Sequence, residues 1–67
     1  MVLEFPRIIY VIEIKFNDTA KNALKQAEER RYFERFIKKN KKIILLGLAF
    51  RREPSNFDIT YAMKEIA

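Results

Sequence analysis

Cysteine and histidine are both absent from this 67-residue chain. The first absence excludes a disulfide framework, a thiolate zinc site and a cysteine nucleophile. The second removes Ser-His triads, imidazole metal ligands and histidine general bases. Any catalysis must then run on Glu, Asp, Lys, Arg or Tyr, with a hard metal held by oxygen ligands. Punctuation is scarce as well, with Gly47 the one glycine and Pro6 and Pro54 the two prolines. No repeat, low-complexity tract or linker divides the chain, so residues 1–67 read as a single domain. The longest apolar run, Ile43 to Phe50, is eight residues, far short of the ~20 that a bilayer span needs. Met1 to Arg7 carry neither a basic n-region nor a small-residue cleavage site. A cytoplasmic protein without membrane contact is expected.

What is present suits a small globular domain. Hydrophobic residues make up 49% and charged residues 34% of the chain, a balance that disordered segments lack. A domain of this size buries only about 60% of the surface that its unfolded chain exposes, so its core is marginal alone. Fourteen Lys and Arg against nine Asp and Glu give a formal charge of +5. That excess suits a polyanionic partner, DNA or another nucleic acid first, and in any case favours solubility.

Val2 to Phe5 and Ile8 to Phe16 are rich in β-branched and aromatic residues, and Pro6-Arg7 between them predicts a tight turn joining two strands. Asn17, Asp18 and Thr19 supply helix N-cap candidates. Ala20, Ala23, Leu24 and Ala27 then make a narrow apolar stripe at helical spacing. Continued, that stripe meets Arg30 and Arg31, whereas Tyr32, Phe33, Phe36 and Ile37 lie on other faces. The phase slip predicts a break near Arg31 and a short second helix to about Lys39. A straight helix whose aromatic end packs on a partner chain is the competing reading. Asn40-Lys41-Lys42 reads as a polar turn, and Ile43 to Phe50 as a strand buried on both faces, parallel to the previous strand through a right-handed crossover. After Arg51 to Asn56, the alternation of Phe57, Ile59, Tyr61 and Met63 with polar neighbours predicts a strand. Ile59, Ala62, Met63 and Ile66 also fit a helix. The expected fold is α/β (α+β): a β-β-α-β-β mixed sheet with helix packed on one face.

The second strand holds two charges inside its apolar run. Side chains alternate along a strand, so Glu13 and Lys15 share a face with Ile9 and Val11, opposite Ile8, Tyr10, Ile12, Ile14 and Phe16. Buried charges need a partner or a metal. An acid and an amine on one face suit metal-dependent phosphodiester hydrolysis, with Glu13 as ligand and Lys15 stabilising the developing charge or orienting water. Glu-X-Lys also arises by chance in roughly one chain in four of this length, and an ordinary ion pair at a partly exposed strand end accounts for it equally.

The ordered combination of Tyr10 to Phe16, Thr19-Ala20, Ala23-Leu24-Lys25-Gln26, Arg31-Tyr32 and Lys42 to Phe50 resembles the C-terminal nuclease domain of the PD-(D/E)XK superfamily. The nearest branch is the one found behind an ATPase-like domain in prokaryotic proteins, and the resemblance runs from Val2 to about Ile59. It implies a restriction-endonuclease-like core, Mg²⁺ or Mn²⁺ as cofactor, DNA as substrate, and Glu13 and Lys15 as catalytic residues. Metal ligands would be Glu13 and the backbone carbonyl of Ile14, with Gln26 and Tyr32 beside the site. The family also needs an Asp on the preceding strand. With a two-residue turn at Pro6-Arg7, Glu4 faces Ile9, Val2 faces Val11 and Met1 faces Ile12. The position opposite Glu13 then falls one residue before Met1, and Glu4 lies roughly 13 Å along the strand from it at 3.3 Å per residue. The expectation is a truncated core, cut after its first metal ligand and lacking an upstream strand and helix. Such a chain would be inefficient as a nuclease alone: a degenerate or misannotated gene product, or a fragment completed by a partner.

Lys38, Lys39, Lys41 and Lys42, with Arg30, Arg31 and Arg35, make a basic region that suits either a phosphate backbone or a solvated surface. Lys38 and Lys39 are its candidate substrate contacts. Arg51 and Arg52 extend the third strand into solvent. Tyr32, Phe33 and Phe36 suit base stacking or, more simply, packing. Three functions remain open: a nuclease-like enzyme remnant, a non-enzymatic nucleic-acid-binding module, and a homodimeric interaction protein. A homodimer is expected in either case, because a shortened sheet leaves apolar surface uncovered and Phe5, Phe33 and Phe36 are hard to bury in so small a monomer.

Overall fold

The pattern of period-two and period-3.6 apolar residues resolves into a four-stranded sheet and one principal helix. A computed structural model describes residues 1–54 and 56–66. Strands β1 (Val2–Glu4) and β2 (Ile8–Phe16) are followed by helix α1 (Ala20–Arg30), a 3₁₀ segment (Tyr32–Lys39), and strands β3 (Lys42–Arg52) and β4 (Phe57–Glu65). The sheet order is β1-β2-β3-β4. β1 pairs antiparallel with β2, β2 parallel with β3, and β3 antiparallel with β4. This is the mixed β-β-α-β-β sheet that the sequence predicts.

The first hairpin has the expected register, Val2↔Val11 and Glu4↔Ile9, closed by a Phe5 N–H to Ile8 carbonyl bond of 2.8 Å. Pro6 presets φ at the first turn position and removes a donor that the turn has no use for. Thr19 caps α1, its Oγ1 accepting from the Asn22 N–H at 3.1 Å. The alanine stripe of α1 lies against the sheet, with Ala20, Ala23 and Ala27 all buried. α1 ends at Arg31, which adopts the left-handed conformation at φ 55°. The single sharp reversal there ends the helical stripe, and the straight-helix alternative does not hold. The chain that follows is a tighter 3₁₀ turn series, with bonds such as Glu34 N–H to the Arg31 carbonyl at 3.1 Å. Its Phe33 and Phe36 pack against the core formed by Ile9, Val11, Ala27, Ile43 and Leu45. These two rings are partly covered inside the monomer, while Phe5, the third ring expected to be hard to bury, stays exposed.

β3 begins at Lys42, so the polar turn before it is shorter than expected. β3 is also not buried on both faces. Ile43, Leu45, Gly47 and Ala49 are buried beneath α1, while Ile44, Leu46, Leu48 and Phe50 remain part-exposed on the other side. An unbroken apolar run reads the same whether or not the chain itself covers its second face. The last segment is a strand, not a helix, and pairs from Arg52↔Phe57 to Ile44↔Glu65. Of the connection before it, Ser55 lies outside the described residues. No helix among the described residues is long and apolar enough to cross a membrane.

Candidate active site

Alternation along β2 places Glu13 and Lys15 on the face covered by α1, in register with Gly47 and Ala49 of β3. Two features of the sequence make room for them there. Gly47 lets the helix backbone come directly onto the strand: a Cβ at this position would clash with Leu24 N and sit 2.6 Å from the Ala20 carbonyl oxygen. The small side chain of Ala49 has the same effect one step along. Glu13, the less exposed of the pair, meets Arg30 at 3.4 Å, and Lys15 meets Asp18 at 3.7 Å. Asp18 also accepts from the Thr19 N–H at 2.7 Å and from Asn22 Nδ2 at 2.8 Å. The Asn22 bond first, then the Thr19 bond and the Lys15 charge, hold its carboxyl below the ordinary range.

The two charges open into neighbouring depressions. Glu13 borders a cleft of about 340 Å³ whose wall includes Arg30, Tyr32, Arg35 and Phe36. Lys15 borders a shallower one of about 290 Å³ together with Gln26, Lys25 and Asp18. Thus Tyr32 shares a cleft with Glu13, and Gln26 a depression with Lys15. Lys39 does not join them: its ammonium bonds both oxygens of Glu4 at 2.9 Å, and Lys41 adds a 2.7 Å bond to the same carboxylate. Lys41 first and Lys39 second depress the Glu4 pKa below its ordinary value. Lys38 is exposed on the 3₁₀ segment and does not border either depression.

Arg30 and Asp18 were not read from the sequence as partners of the central pair. The signal for Arg30 was present, since the apolar stripe of α1 continues onto it and so directs it at the sheet. Asp18 carried no such signal beyond its place before the helix.

The backbone around Ile14 adds an acceptor. Ile12 exchanges bonds with Met1, its N–H to the Met1 carbonyl at 2.7 Å and its carbonyl from the Met1 nitrogen at 3.0 Å. Antiparallel pairing alternates direction, so the N–H and carbonyl of Ile14 point to the same side, past the last paired residue of β1. Among the described residues the Glu13 carboxylate is the one acid lining this cleft, with the Ile14 edge carbonyl beside it. No three acidic groups gather to hold a metal among the described residues. Mg²⁺ demands octahedral coordination by hard oxygens, and the Glu13 carboxylate already faces a guanidinium. The residues present do not fit a resident Mg²⁺ or Mn²⁺ on their own. No known family profile matches the sequence, and no curated protein or solved structure matches it at a significant level.

Proposed function

We propose that this chain is a nuclease-like domain, related to metal-dependent DNA phosphodiester hydrolysis, and that these 67 residues do not cut DNA efficiently by themselves. The observation that carries this reading is the projection of Glu13 and Lys15 from one face of β2, with the Ile14 carbonyl at the open edge between them. Lys15 is the group for a phosphate oxygen: an ammonium with three donors, in a part-exposed depression beside Gln26. Arg30 and Arg35 give the adjoining cleft a cationic wall that suits the next phosphate along a strand. Tyr32 offers its ring to a base or sugar. Among the described residues no second acid lines the Glu13 cleft.

The β1–β2 register supports one position for such an acid. Directly opposed residues of an antiparallel pair hold their Cβ atoms about 4.5–5.5 Å apart, close enough for two carboxylates to share one ion. An aspartate placed immediately before Met1 would oppose Glu13 on the helix-covered face. The test compares the 67-residue chain with that one-aspartate extension by Mn²⁺-induced broadening of amide NMR signals and by cleavage of supercoiled DNA. The extended chain is expected to show broadening centred on Glu13 and Ile14 at a metal concentration at least tenfold lower, with cleavage lost in Lys15→Ala. Equal and diffuse broadening in both chains would remove the nuclease reading.

A further inference from the structure

The helix covers only one face of the sheet. On the other, the cross-strand rows Ile14–Leu48–Tyr61 and Phe16–Phe50–Ile59 continue from β2 to β4 without a polar interruption. Phe16, Phe57 and Tyr61 are 72%, 67% and 68% exposed. At ~200 Å² per ring side chain, these three alone leave on the order of 400 Å² uncovered. Ile59 and Met63, also more than half exposed, and the part-exposed residues of β2 and β3 bring the face to roughly the 800 Å² per partner of a standard stable interface. Monomeric proteins rarely expose contiguous apolar patches larger than a few hundred Å².

We infer that this face is the interface of a homodimer, sheet packed on sheet. The charge distribution selects a second copy as occupant. Although the chain carries +5, the rows above contain no charged residue; charges on this face stand only at its ends. At one end Lys42 and Glu65 compensate each other at 3.7 Å, and at the other Arg52 closes β3. A partner recognised by charge would find no complementary group over most of the area, whereas a like face meets these rows with the same uncharged rows. Strands also permit the geometry. Aligned sheets pack about 10 Å apart with strands crossing near −30°, and a two-fold axis lying between the two sheets, running roughly along the strands above the β3–β4 seam near Leu48, would set each copy of β4 over the part-exposed middle of the other sheet. The association does not depend on the Glu13–Lys15 site, which lies on the opposite face.

Sedimentation equilibrium of the full chain tests this, with Tyr61→Lys on the apolar face and Thr60→Lys beside it on the helix-covered face. The wild type and Thr60→Lys are expected to be dimers at micromolar concentration, and Tyr61→Lys a monomer, or at least tenfold weaker in association. A wild-type monomer at submillimolar concentration overturns the inference, including one that binds detergent or another polypeptide on this face. Equal loss of association in both variants also overturns it, since pairing through the β4 edge would respond to either. Should Tyr61→Lys fail to fold, isotope-filtered NMR of mixed labelled and unlabelled wild type decides the matter. Intermolecular contacts between Leu48 methyls and the Tyr61 ring are expected, and a dimer lacking any contact across this face refutes the arrangement.

Discussion

Single side chains in this protein act mainly by cross-linking distant pieces of backbone. Glu4 is the clearest case. It lies on the shortest strand of the sheet, yet its two oxygens receive Lys39 and Lys41 and so tie β1 to the end of the 3₁₀ segment. Its pKa is depressed in the fold, chiefly by the Lys41 bond and then the Lys39 bond. A carboxylate of this kind stabilises the native state fully above its ordinary pKa of 4.5, and the contribution is lost as pH falls through the lower, folded value. Stability measured by urea denaturation is therefore expected to decline between about pH 5 and pH 3, with a shallower decline in Glu4→Gln. An identical slope in the two proteins would show that the Glu4 bridge does not form. The lysines concerned were legible only as a basic cluster, because nothing in local spacing reveals an acid 35 residues away from Lys39.

At the scale of elements, the fold is governed by how closely α1 approaches the sheet. Gly47 decides that distance. Its neighbours are helix backbone atoms, Leu24 N and the Ala20 carbonyl oxygen, which cannot yield as a flexible side chain would. Gly47→Ala is expected to destabilise the protein by about 1–3 kcal/mol, the usual cost of overpacking, and to shift amide signals of Ala20 and Leu24 and of Glu13 in register with it. A thermal midpoint equal to wild type would mean that α1 does not lie on the strand. From the sequence, Gly47 is silent: a glycine within an apolar strand acquires its meaning only once the helix-bearing face is known. Other element features were legible for physical reasons. The two-residue Pro6-Arg7 turn fixed the β1–β2 register, and the misfit of Arg30 and Arg31 with the aromatic residues after them marked the reversal at Arg31. The same alternation put Glu13 and Lys15 together on one side of β2. What alternation does not show is which long side chains close over that pair, and Arg30 and Asp18 emerge only from the docking of α1.

For the molecule as a whole, the interior is thin. Ile9, Ile43 and Leu45 are its largest fully buried side chains, and the remaining core consists mostly of alanines and part-covered rings. A 67-residue protein commands only about 3–10 kcal/mol of total stability. Leu45→Ala removes about 2–5 kcal/mol by lost burial and residual cavity, a large share of that total. The variant is expected to be largely unfolded at 37 °C by circular dichroism, and a melting curve within a few degrees of wild type would mean that Leu45 is not central. The single buried layer also explains why Ile43 to Phe50 read as buried on both faces: half of the strand side chains face the side that α1 leaves bare.

The seam between β2 and β3 has a kinetic consequence. Every pair in it, from Ile8↔Lys42 to Phe16↔Phe50, joins residues 34 positions apart, whereas both flanking hairpins are local. No rung of the seam forms until the intervening chain has looped back, and the closure entropy of that loop is spent before any of its contacts is gained. Folding is thus expected to join two quickly made ends in a slower step, because the β2–β3 pairing is the non-local one.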